Sequence, residues 1–155
     1  LMLGTNDLQP KMHKTPFTRE RLADGLIHLI KLIRSLPECG AGNQPAKILV
    51  VAPPPIKMAK GRPEVSEKYG CEAGVILSHE FASAYKDAAK AYHCGYLDAG
   101  LYAEAGDADG VHFTLESHPR LGKAIAEAIL AMDTNSDGNT DEKHTVDKLK
   151  ADIEM

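Results

Sequence analysis

Between Thr15 and Leu36, apolar residues recur at spacings of three and four. Leu22, Leu26, Leu29, Ile30 and Ile33 share one side, while Arg19, Arg21, Lys31 and Arg34 take the others. That period predicts an amphipathic helix. Thr15-Pro16 supplies a cap and a first-turn proline, and Pro37 with the Gly-rich stretch 40–45 supplies the stop. The next run, Lys47-Ile48-Leu49-Val50-Val51-Ala52, is continuously apolar and β-branched. This is the habit of a strand buried on both faces of a parallel sheet, and Pro53-Pro54-Pro55 ends it because proline cannot donate to a ladder. Residues 56–74, rich in Gly, Pro and charge, read as a long loop of the kind that is usually functional. A second helix follows over Val75–His93, with Ile76, Phe81, Ala84, Ala88 and Ala91 as its inner side. Gly95–Ala99 is a short strand, 106–114 a loop rich in Asp and Gly, and Pro119–Met132 a third helix.

Leu1-Met2-Leu3 reads as the end of a further buried strand with no lead-in, which predicts the C-terminal part of a longer chain. The order β-α-β-α-β-loop-α predicts an α/β fold, a doubly wound parallel sheet with its N-terminal part missing. From Asp133 the composition turns polar and acidic. The chain therefore divides into a globular part, 1–132, and a short acidic helical tail, 133–155.

Composition narrows the function classes. The 155 residues are 43% hydrophobic and 26% charged with a formal net charge of −4, which excludes wholesale disorder. No dense basic face is visible for nucleic acid, and no apolar run approaches the roughly 20 residues of a membrane span. Cys39, Cys71 and Cys94 form neither a CxxC pair nor a disulfide framework, and Cys71 and Cys94 read as buried, inert thiols. Asp98, at a strand end, reads as a turn-former.

In a doubly wound sheet, ligands gather at the C-terminal ends of the strands. Two loops there carry chemistry: Gly4-Thr5-Asn6-Asp7 after the first strand, and Asp109-Gly110-Val111-His112 before the last helix. An Asp three residues before a His can hold one imidazole nitrogen, fix the tautomer and leave the other nitrogen to act as base. An Asn amide can donate to a developing oxyanion. Such parts suit acyl transfer.

At these residues the sequence resembles the SGNH (GDSL-type) hydrolases. Gly4-Thr5-Asn6-Asp7 is similar to their GxND block and Asp109-Gly110-Val111-His112 to their DxxH block. The stretches Leu49–Pro55 and Phe81–Gly100 resemble the bacterial arylesterase/acyltransferase branch. The resemblance covers roughly Leu1 to Met132 and implies a flavodoxin-like fold. It also implies His112 as catalytic base, Asp109 as its orienting acid and Asn6 as an oxyanion-hole donor, in hydrolysis of a small-molecule ester or transfer of its acyl group. That mechanism needs no cofactor. Self-association into a homo-oligomer is a further implication, and carbohydrate O-acetyl esters are an alternative substrate class.

The pattern departs from the family at the nucleophile. Ser35, Ser66, Ser78, Ser83, Ser117 and Ser136 all follow Asn6, and none sits in a GDS or GxSxG context. The expectation is that this chain alone gives no serine-esterase turnover.

The tail holds a candidate calcium loop. Asp133, Asn135, Asp137, Asn139 and Asp141 fall at ligand spacing with Gly138 at the turn, but His144 stands where a bidentate carboxylate is required. Weak Ca²⁺ binding and a solvated acidic linker are the two readings. An inactive remnant whose useful part is a calcium- or partner-binding tail is the corresponding alternative function.

Overall fold

The structure, a computed structural model, describes residues 1–134. Two parallel strands, β1 (Leu49–Ala52) and β2 (Gly95–Asp98), pair in the register Leu49 to Gly95 through Ala52 to Asp98. Leu1 lies along the other edge of β1, its backbone N bonded to Leu49 O at 2.6 Å and its O to Val51 N at 2.9 Å. The expected first strand is thus present as a single paired residue. Beyond it, Gly4 takes the chain into a tight turn at Thr5–Leu8.

Among the described residues five α-helices surround the strands: α1 (Asp24–Arg34), α2 (Pro63–Lys68), α3 (Cys71–Ser78), α4 (Phe81–Ala91) and α5 (Ser117–Thr134). Successive strand side chains point to opposite faces, and β1 follows this rule. Val50 and Ala52 pack with Leu26 and Ile30 of α1 and with Phe81, Tyr85 and Ala88 of α4. Leu49 and Val51 pack on the other face with Leu121 and Ile125 of α5. Helices on both faces of a parallel sheet are what a continuous apolar strand requires. The fold is α/β with a small parallel sheet, as expected.

The helix boundaries depart from the expected ones for local reasons. The first helix does not start at Thr15. His13 stacks on Phe17 with ring centroids 4.3 Å apart, and Arg21 reaches back to Thr15 Oγ1 at 2.9 Å. These contacts hold residues 13–18 out of the helix, with a bend at Lys14 and Thr15, and helical turns begin only at Arg19. At the other end Leu36 precedes Pro37, a position where the α conformation is sterically disfavoured.

The expected loop over 56–74 is largely helical, forming α2 and the start of α3. Pro63 opens α2 at its first position, where its missing N–H costs nothing, with Glu64 in the first turn. The expected single helix over Val75–His93 is broken between Ser78 and Phe81. Ser78 Oγ donates to Val75 O at 2.6 Å and accepts from Ile56 N at 3.1 Å, which pins the end of α3 against the segment after β1. The break changes the helix phase. Phe81, Tyr85, Ala88 and Ala89 form the buried side of α4, whereas Ile76 and Ala91 are exposed. The last helix starts two residues early, because buried Ser117 accepts from Glu104 N at 3.1 Å and pairs with Thr114 Oγ1 at 2.8 Å.

On the far edge of β1, Leu1, Met2, Leu49, Val51, Ile125 and Ile129 line an open apolar groove of about 410 Å³. Cys71 is exposed rather than buried, since it opens α3 with φ +54° directly after Gly70. Cys94 is half-buried, and burial pushes its thiol up. Among the described residues no helix is long and apolar enough to cross a membrane.

Candidate active site

The first site segment is set by Gly4. Its φ of +112° lies in the left-handed region, and a Cβ there would meet Tyr85 Oη at 2.3 Å and the Phe81 ring at 2.9 Å. Only glycine avoids both the strain and the overlap. The turn that follows closes with Asp7 N bonded to Gly4 O at 2.7 Å and Gln9 N to Asn6 O at 3.2 Å. Asn6 is exposed on this turn. Its Oδ1 accepts from Tyr69 Oη at 3.0 Å and from Gln9 Nε2 at 2.9 Å.

The second segment sits at the tip of a closed loop. Ala105 and Phe113 form an antiparallel bridge at its base. Gly106 N donates to His112 O at 2.7 Å and Gly110 N to Gly106 O at 2.9 Å. The tip is tied to the segment after β1 by Lys57 N, which donates to Gly110 O at 2.7 Å. Gly110, with φ +71°, lies so close that a Cβ would stand 2.1 Å from Lys57 O. Two surface ion pairs, Lys57 to Glu104 at 2.8 Å and Lys60 to Asp107 at 2.6 Å, bridge the same two segments. Exposed pairs of this kind add little stability; here they mark which segments face each other.

Asp109 organises this tip. Oδ1 accepts from Val111 N and His112 N, both at 2.9 Å, and Oδ2 meets His112 Nδ1 at 2.5 Å. The hydrogen bond from the His112 ring, followed by those from the two backbone amides, holds the Asp109 carboxyl down at about 2. Asp109 is therefore an anion throughout the neutral range, and a carboxylate can only accept. His112 Nδ1 must then carry the hydrogen, so in the neutral ring Nε2 keeps its lone pair. The His112 side chain is 88% exposed against 18% for Asp109, so the free nitrogen faces outward while the carboxylate is sheltered. That arrangement suits a general base whose orienting acid is built into the same turn.

Asp109 and His112 are thus joined directly. Asn6 is bonded to neither of them among the described residues, but it reaches the same region through Tyr69. Tyr69, Ser66, Val65, Asp109 and Val111 line one narrow crevice between α2 and the loop tip. Beyond the Asn6 turn, Leu8, Pro10, Phe17, Ile76 and Leu77 line a wider open groove of about 710 Å³. Asp98 behaves as the expected turn-former, its Oδ1 accepting from Gly100 N at 2.9 Å.

Tyr69 and Gln9 were not visible as site residues in the sequence. Tyr69 lies 63 positions from Asn6, in a stretch read as loop, and no local pattern marks such a pairing. Of the candidate calcium ligands, Asp133 falls in the last turn of α5, and Asn135, Asp137, Asn139 and Asp141 lie outside the described residues. Among the described residues no group of three or more His, Cys, Asp or Glu side chains could hold a metal ion.

No family model matches the chain, and no curated protein does. Solved structures do. A carbohydrate acetylesterase from Sinorhizobium meliloti is 31% identical with a TM-score of 0.73, the match covering 84% of this chain and 59% of that one. A further carbohydrate acetylesterase family member from S. meliloti is 28% identical with a TM-score of 0.74, over 84% and 59%. The aryl esterase of M. smegmatis is 29% identical with a TM-score of 0.72, over 84% and 58%. The chain thus spans less than two thirds of the length of the structures it matches.

Proposed function

We propose, from the likeness of this chain to carbohydrate acetylesterases and aryl esterases, that it is part of an SGNH-type hydrolase in which Asp109, His112 and Asn6 serve the hydrolysis of short-chain acyl or aryl esters. His112 Nε2 removes the proton from a serine hydroxyl as that oxygen attacks the ester carbonyl. Asp109 holds Nδ1–H and offsets the imidazolium charge that forms. Asn6 Nδ2 donates to the oxyanion of the tetrahedral intermediate. Collapse breaks the ester bond, and the alcohol leaves with the proton from His112. Water then releases the acid by the same path, and an alcohol in place of water gives acyl transfer.

The observation that carries this reading is the Asp109 turn, in which one carboxylate orders its own loop and holds Nδ1 of an imidazole that faces outward. Nothing about a mere turn requires the second carboxylate oxygen to hold the ring.

The reading needs a serine at Nε2, and the described serines are engaged elsewhere. Ser35 donates to Leu32 O, Ser66 accepts from Ala59 N, and Ser78 and Ser117 are buried in the contacts given above. Ser83 is bonded to Glu80 O. Joining this chain to the part of the M. smegmatis aryl esterase outside the matched region tests the proposal. Hydrolysis of p-nitrophenyl acetate and of an acetylated sugar should appear, and His112→Ala should abolish both with the fold intact by circular dichroism. Undiminished turnover in that variant overturns the assignment, and the ratio of the two substrates tells the aryl from the carbohydrate class.

A further inference from the structure

Asn6 is exposed, yet two buried side chains converge on its amide oxygen. Tyr69 is 7% exposed and Gln9 6%, and Gln9 is among the few polar residues buried in the described chain. A surface asparagine is well solvated by water and needs neither donor on its own account. Burying a polar group is costly unless it is hydrogen-bonded, and here both groups spend a hydrogen bond on the same oxygen.

We propose that Tyr69 and Gln9 are positioning residues that fix the Asn6 carboxamide with Oδ1 inward and both Nδ2 hydrogens outward. An amide has one acceptor end and one donor end. With Oδ1 taken by two donors, Nδ2 points the opposite way, where it has no protein partner among the described residues. The inference rests on the reading of Asn6 as the oxyanion donor and names what makes that donor ready before substrate arrives.

Both supports are rigid. Gln9 is fixed by its backbone, with N bonded to Asn6 O at 3.2 Å and O accepting from Met12 N at 3.0 Å. Tyr69 N is shared between Val65 O and Ser66 O, each at 3.2 Å, and its ring packs in the main core. The carbonyl of Tyr69 lies so close to Gly74 that a Cβ there would stand 1.7 Å from it. The turn of α3 therefore locks Tyr69 from behind. Because Tyr69 also lines the crevice with Asp109, one residue relates the donor side of the site to the base side.

The test uses Tyr69→Phe, which keeps the ring and removes only the hydroxyl. In the intact chain, the Asn6 side-chain ¹H–¹⁵N resonances report the amide directly. The wild type should show an ordered carboxamide whose Nδ2 hydrogens exchange with solvent, and Tyr69→Phe should lower that order. Gln9→Glu places a carboxylate against Oδ1 and should turn the amide over, protecting the Nδ2 hydrogens. An amide already disordered in the wild type, or Nδ2 hydrogens protected there, overturns the proposal.

In the reconstituted esterase, Tyr69→Phe should lower kcat about 3–10-fold with KM unchanged. That is less than the 10²–10³-fold of losing an oxyanion donor outright. An unaltered kcat alongside a reduced one in Asn6→Ala overturns the positioning role and leaves the reading of Asn6 standing. An unaltered kcat in Asn6→Ala refutes that reading instead, and the amide spectra alone then decide the orientation.

Discussion

Replacing Gly110 with alanine perturbs the site where the loop tip touches the segment after β1. The new Cβ would stand 2.1 Å from Lys57 O, 2.9 Å from Lys57 C and 3.2 Å from Ala59 N, where ordinary contact begins at 3.4 Å. All three are backbone atoms, so no side chain can rotate aside and the two segments must part by about 1.3 Å. That displacement breaks the 2.7 Å bond from Lys57 N to Gly110 O, a net loss of about 0.5–1.5 kcal/mol. Holding alanine at φ +71° adds about 1–2 kcal/mol. The narrower unfolded ensemble of alanine returns about 0.4–1 kcal/mol. The sum is a destabilisation of about 0.5–3 kcal/mol, read by urea denaturation.

Gly61→Ala is the matched control. Its φ is +77°, but nothing lies within 4 Å of the added Cβ, so it carries the backbone strain without the collision. Gly110→Ala should cost about 1 kcal/mol more than Gly61→Ala. It should also shift the His112 ring resonances, which Gly61→Ala should leave in place. Equal losses in the two variants, or an undisturbed His112, would refute the claim that this contact positions the base.

Three other outcomes follow from the same structure. Ser78→Ala leaves the buried Ile56 N–H without its acceptor and should cost about 1–3 kcal/mol in urea denaturation; a loss within error would contradict the pinning role given to Ser78. The Asp109 carboxyl is depressed to about 2 by its bonds to the His112 ring and the backbone. Its contribution to stability is thus fully present above the unfolded value of roughly 3.9 and is lost as pH falls toward 2. The stability difference between wild type and Asp109→Asn should accordingly shrink between pH 5 and pH 2, and a constant difference would contradict the linkage. The chain alone should release p-nitrophenol from its acetate no faster than imidazole at matched concentration, because the described serines are bonded away from His112. An acylation burst blocked by a serine-directed inhibitor would overturn that expectation.

The parts of the molecule that were legible in the sequence are those whose physics is local. β1 announces itself because a strand covered on both faces must be apolar at every position, and Val50, Val51 and Ala52 are buried as that rule requires. The Asp109–His112 pair is legible because three residues in a turn suffice to bring carboxylate and ring together. The Gly4 requirement was visible only as a motif. Its cause, the Tyr85 hydroxyl and Phe81 ring pressed against its backbone, comes from α4, far along the chain.

What was misread depended on distant partners or on short elements. α2 has six residues, fewer than two full turns, so no period can establish itself. The false continuity of the helix over Val75–His93 came from apolar residues on either side of a break. That break is set by the Ser78 bond to Ile56, 22 positions away. The start of α1 differs because a proline and a threonine have the form of a cap, while the stacking of His13 on Phe17 holds the chain out of the helix. Tyr69 and Gln9 follow the same logic: the residues that orient Asn6 are chosen by the fold and carry no motif.

On the proposed reading, Asp109 sets His112 as a base with Nε2 free and outward. Long-range ¹H–¹⁵N correlation of the neutral His112 ring in the intact chain tests it directly. The wild type should show the tautomer with hydrogen on Nδ1. In Asp109→Asn, whose amide can donate to Nδ1, the hydrogen should move to Nε2. A wild-type ring that carries its hydrogen on Nε2, or that mixes both forms as free imidazole does, contradicts it.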